Sequence, residues 1–205
     1  MELHEVPGYN EAFAQVLAET EALRELAFTD LPVKIFDLEV SQLTLRKFFL
    51  LAAADNPLLF GGTIEPEHVV QFLWVVSRDF NPDDREARDI FVQLVAAMPF
   101  TETVQAIRKY CEDALMDRPP VKANAQRGDS PTCYLAYFVH KFASAYGWSE
   151  DQILDKPIAR LYQLLRQMQM ERNPRITILN SRLAKLEDEY AMKAWELEQE
   201  KEQRK

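Results

Sequence analysis

The chain has 205 residues, 47% hydrophobic and 28% charged, with 24 basic and 33 acidic side chains for a formal net charge of −9. A chain of this length folds without help from a metal or disulfide, and the composition is that of a globular protein. Five Gly against 11 Pro argue against a turn-rich β fold and glycine-built phosphate loops.

The longest wholly apolar runs, Phe48 to Ala54 and Leu94 to Phe100, fall far short of the ~20 residues of a membrane helix. Glu2, His4 and Glu5 lack the basic start of a signal peptide. Basic and acidic residues balance between Arg175 and Lys205, so the stretch before them carries the whole negative charge. It has no basic run to hold phosphates, which excludes nucleic acid as an expected partner.

In chain order, Asn10 to about Ala27 reads as a helix with Phe13, Val16, Leu17 and Leu23 on one stripe. Val33 to Val40, rich in β-branched and aromatic residues, is the one strand candidate, folded back as a small hairpin. Ser41 is the expected N-cap of a helix to Ala54, which Asn56-Pro57 ends. After the Gly61-Gly62 turn, Pro66 opens a helix to Arg78 that is apolar nearly all round and so belongs in the core.

Asn81-Pro82-Asp83-Asp84 has cap, proline and carboxylates in the order of a helix start. The helix after it carries Ala87, Ile90, Phe91, Leu94, Val95 and Met98, and Pro99 stops it. Thr101 is the expected cap of a helix striped by Val104, Ile107, Cys111, Ala114 and Leu115. Asp117 to Pro131 reads as a long loop. A helix to Tyr146 follows, with Leu135, Phe138, Val139 and Phe142 facing the core and Tyr134 and Tyr137 towards another face. Gly147 ends it. Ser149 with Gln152 forms a capping box, and Ile158, Leu161, Tyr162, Leu165 and Met168 stripe the next helix.

Beyond Asn173-Pro174 the composition changes. Leu179, Leu183, Leu186, Tyr190 and Leu197 form a short heptad-like seam. A lone helix of this length is marginal in water, so it requires a partner or the body to pack on. The expected architecture is all-α: a helical domain over 1–174 with at most one short strand or hairpin near 33–40, and a charged, coiled-coil-like helical extension over 175–205.

No nucleotide loop, nucleophile elbow or HExxH is present, and no cofactor or metal site is expected. Cys111 and Cys133 flank the expected loop. A bridge between them is geometrically conceivable, but reduced, largely buried thiols are the simpler reading, and two cysteines without ligand spacing make no zinc site. His68 reads as part of a helix first turn and His140 as a helix histidine. The chain is therefore read as a non-enzyme. The candidate partner-binding residues are Tyr134 and Tyr137, because Tyr is enriched at interfaces, and the seam Leu179, Leu183, Leu186, Tyr190 and Leu197.

Two stretches carry a family likeness. The first runs from Glu39-Val40-Ser41-Gln42-Leu43-Thr44-Leu45-Arg46 through Asn56-Pro57 and Gly61-Gly62 to Val70-Gln71-Phe72-Leu73-Trp74-Val75-Val76-Ser77. The second is Tyr146-Gly147-Trp148-Ser149 with Ile153-Leu154-Asp155, Pro157 and Leu161-Tyr162-Gln163-Leu164-Leu165. Together they resemble the small, acidic, helical proteins of tailed bacteriophages and prophages, in particular tail assembly chaperones. The resemblance implies a factor of the bacterial host cytoplasm that binds the tape measure protein before tail tube polymerisation. Its implied partners are that protein or another tail component, or a further copy of the chain as a homo-oligomer, with no nucleic acid and no membrane. A virion adaptor or connector subunit is the alternative. An enzyme or regulator on a helical scaffold comes third.

Overall fold

A computed structural model describes residues 2–118, 134–173 and 181–203, the side chains of Tyr134 and Gln203 excepted. The fold is all-α: 71% helix, with 10 α-helices and a single two-stranded hairpin among the described residues. The helices are α1 Tyr9–Leu26, α2 Leu45–Ala53, α3 Pro57–Phe60, α4 Pro66–Val76, α5 Arg85–Ala96, α6 Phe100–Leu115, α7 Tyr134–Tyr146, α8 Glu150–Leu154, α9 Ile158–Arg172 and α10 Ser181–Gln203. The hairpin joins β1 Val33–Ile35 to β2 Leu38–Val40, with Val33 opposite Val40 and Ile35 opposite Leu38.

Helix α4 is central. Val69 and the run Phe72 to Val76 are all buried, and the helix touches α2, α3, α5 and α6. Its apolar circumference thus finds a neighbour on most sides, the arrangement that such a sequence demands. The main core adds Ile35, Leu43, Leu45, Ile107, Phe138, Phe142, Ile153, Leu161 and Tyr162.

Local capping sets most helix starts, with three shifts from the sequence reading. Helix α2 is capped by Thr44, whose hydroxyl accepts from the Lys47 amide at 3.2 Å. Ser41 lies too far upstream; its hydroxyl donates to the Val76 carbonyl at 3.1 Å. Helix α5 begins at Arg85, because Asp84 accepts from the Ala87 amide while Asn81 closes a turn on Asp83. Thr101 lies inside α6, which begins directly after Pro99. The Ser149–Gln152 capping box forms as expected. Gly147 takes φ 68°, a left-handed turn that favours glycine, and its amide bonds back to Ala143.

The segment between the hairpin and α2 is held on both sides. The Ser41 amide donates to Val76 O at 2.9 Å, the Leu45 amide to Lys156 O at 3.1 Å and the Ile158 amide to Leu43 O at 2.8 Å. Segments 39–46 and 153–165 therefore meet in space, near Leu43–Leu45 and Lys156–Ile158.

Lys47 caps this junction. Its ammonium donates to Ser41 Oγ and to Ser77 O, both at 2.8 Å, at the negative end of α4. Burial pulls its pKa down to about 8 from 10.5. The unfolded chain therefore holds one more proton between these values, and stability rises with pH through that window. Cys111 acts in the opposite sense: burial pushes its thiol from 9.0 up to about 12, so stability falls as the unfolded thiol ionises. Stability should rise from pH 8 to 9 and flatten above it. Urea midpoints of wild type and Lys47→Met across pH 7 to 10 test this. A Lys47→Met curve that keeps the rise would assign it to another group.

Candidate functional site

An apolar groove of about 550 Å³ lies between α4, α5 and the start of α6. Val69, Val95 and Thr103 form its buried floor, and Val70, Val92, Ala96, Met98 and Phe100 its walls. Glu67, Gln71 and Arg88 supply polar groups. Gln71 is already engaged, accepting from Asn56 Nδ2 at 2.9 Å. Thr103 donates to Pro99 O at 2.7 Å. The groove thus offers apolar contact edged by a few charges and, among the described residues, no nucleophile with an adjacent base.

Helix α5 also exposes its opposite flank. Phe91 and Val95 are buried, but Ile90 and Leu94, one turn apart, are 64% and 53% exposed. Val92 on the groove side and Phe100 at the start of α6 are exposed as well. The α5–α6 corner is therefore an apolar projection, the kind of patch that marks an interaction surface. The sequence reading put Ile90 and Leu94 on the helical stripe and did not single out Val92. The available signal was the breadth of the apolar arc on α5, wider than one buried stripe needs.

The residues singled out from sequence are distributed differently. Tyr137 is exposed on α7 and sits edge-on to Phe138 at 6.0 Å. Tyr134 begins the same helix, with its side chain outside the described atoms, and Leu179 lies outside the described residues. Leu186 and Tyr190 are buried in a small second cluster with Val6 and Ala194, against Tyr9, Phe13 and Val16 of the N-terminal region. Leu183 is half-buried and Leu197 packs on that cluster. Tyr190 Oη donates to Gly8 O at 3.2 Å, and Arg182 pairs with Glu19 at 3.0 Å. The seam is thus engaged by the chain's own α1, and the cluster does not include Tyr137.

Several other expectations resolve locally. Cys111 is a buried thiol, and Cys133 lies outside the described residues. His68 accepts at Nδ1 from the Glu65 amide at 3.0 Å and completes a capping box. Tyr146 stacks on Trp148 at 4.8 Å, and Lys156 lies over the Trp148 ring at 4.5 Å. Most of the expected 117–131 loop lies outside the described residues, but Asp117 itself is buried beside Arg24 and Arg166.

Among the described residues, no group of three or more His, Cys, Asp or Glu side chains is placed to hold a metal ion. Among them, too, no single helix is long and apolar enough to cross a membrane. No protein-family model, curated protein or solved structure matches the chain.

Proposed function

We propose that this protein is a non-enzymatic binding factor that shields an amphipathic helix of a client during phage tail assembly, the tape measure protein before tail tube polymerisation. The observation that carries the reading is the apolar groove beside the exposed Val92 and Phe100. An amphipathic client helix aggregates through its apolar stripe unless that stripe is covered, and a groove between helices covers it. The charges at Glu67 and Arg88 would meet the polar flanks of such a helix. The resemblance of residues 33–78 and 144–172 to tail assembly chaperones suggests the identity of the client.

Co-expression with the tape measure protein of the same source genome tests this. The client should become soluble and co-purify with the wild-type chain. A Val92→Asp variant should retain at least about tenfold less client, because a charge in the groove opposes burial of an apolar stripe. Val92 is exposed, so the variant's own stability should stay within about 0.5 kcal/mol of wild type. A client that stays insoluble, or is retained equally by Val92→Asp, rejects the reading. Presence of the chain in purified particles would favour an adaptor or connector subunit instead.

A further inference from the structure

The C-terminal helix has two faces with different fates. Leu186, Tyr190 and Ala194 are buried against the N-terminal region. Met192 and Trp195 project from the other side, 59% and 57% exposed. They are three positions apart and so share one surface of the helix. Trp is a large apolar side chain and the type most enriched among residues that dominate binding energy.

The charges around this pair select its occupant. Asp188 and Glu189 lie one turn before Met192 and Glu196 one turn after it, and all three are exposed. Of the nearby lysines, Lys193 lies over the Tyr190 ring at 4.1 Å, and the exposed Lys185, one turn before Asp188 and Glu189, is outnumbered by the three carboxylates. Over the whole helix four basic residues stand against seven acidic ones. A second copy laid on the same face would set acid against acid. An anionic lipid surface would be repelled for the same reason.

We infer that the outward face of α10, centred on Met192 and Trp195, docks a cationic amphipathic helix of a partner protein. Its apolar side chains cover the indole and thioether, and its Lys or Arg residues pair with Asp188, Glu189 and Glu196. Complementary charge of this kind steers association and excludes wrong partners, and its effect weakens with salt. The surface is separate from the α4–α5–α6 groove, so it stands whether or not that groove holds a client.

The test uses the full chain and a labelled helical peptide of about 18 residues, five turns, built from Leu and Lys, with a Leu/Glu peptide of the same pattern as control. Binding is read by fluorescence anisotropy at low and physiological salt. The Leu/Lys peptide should bind, lose affinity with salt, and weaken by about tenfold on Trp195→Ala and on the Asp188→Lys, Glu196→Lys pair. Asp37→Lys, at an exposed carboxylate of the hairpin, should leave it unchanged. These positions are exposed, and an unchanged helical circular dichroism signal confirms that the variants fold. Equal binding of both peptides, or affinity within about twofold for Trp195→Ala, would overturn the inference. So would a dimer of the wild-type chain that Trp195→Ala abolishes, which would make a second copy the occupant, and so would a loss of peptide binding confined to Val92→Asp.

Discussion

Replacing Asp117 by Asn should destabilise the protein by about 3 kcal/mol, the low end of the cost of removing one member of a buried ion pair, because Arg24 keeps a third of its side chain exposed. Asp117 is 1% exposed at the end of α6. Arg24 of α1 reaches it with two bonds, Nε to Oδ2 at 3.0 Å and Nη2 to Oδ1 at 2.8 Å. Arg166 of α9 donates to Oδ1 from the other side. One carboxylate therefore separates two guanidinium groups and ties three helices together. Burial, and then the Arg24 charge, pull the Arg166 pKa down to about 10, so Arg166 remains charged at neutral pH. With Asn at 117 the two arginines would face each other across a neutral amide. The cluster also lies at the C-terminal end of α6, where cations are favoured, which offsets part of the loss.

Urea unfolding at pH 7 measures the effect, and a second variant checks its origin. Asp117→Asn combined with Arg166→Met removes one of the two facing positive charges and should recover a substantial part of the stability. A single Asp117→Asn loss below about 1 kcal/mol would show that the cluster merely breaks even against its own desolvation. Recovery absent from the double variant would place the cost in packing rather than charge. Because the carboxylate is buried, the loss should change little between low and high salt.

The same cluster shows where sequence reading stops. Asp117 opens a stretch with three prolines and few large apolar residues, and locally it looks like the start of a loop. Its partners lie 93 and 49 positions away, and nothing in the spacing announces them. Signals that act over three or four residues were legible: the capping box at Ser149, the turn at Gly147 and the apolar circumference of α4. At the start of α2 the cap was decided by tertiary demands. Ser41 was unavailable to α2 because its backbone and hydroxyl face Val76 and Lys47. The groove was legible only as excess: α5 carries more apolar residues than one buried stripe uses, and which flank stays open depends on where α4 and α6 lie. The seam on the C-terminal helix was visible as a pattern, but not its neighbour, since heptad spacing is the same whether the groove belongs to a partner or to α1.

That ambiguity gives the second large effect. Leu186→Ala should cost about 2–5 kcal/mol, as truncations of buried Leu do, but the cost should fall on α10 and the first half of α1 rather than on the whole chain. Leu186 belongs to the small cluster with Val6, Tyr190 and Ala194, distinct from the main core around α4. The second half of α1 is tied down independently, by Arg24 to Asp117 and by Gln42 Nε2 donating to the Leu26 and Thr29 carbonyls at 2.9 and 2.8 Å. Two cores joined chiefly through one helix, with Ser181 Oγ donating to Met116 O at 3.0 Å as a second tie, can open one at a time. In hydrogen exchange, amides of α10 and of the start of α1 should therefore quicken by roughly 30-fold or more, since each 1.4 kcal/mol is tenfold. Those of Phe72 to Val76 in α4 should keep their wild-type rates. Uniform acceleration that includes α4 would mean that the terminal helix is an integral part of one cooperative unit. Confinement to the small cluster would mean that a partner reaches Leu186 and Tyr190 only after α10 lifts from α1, whereas Trp195 is open to it from the start.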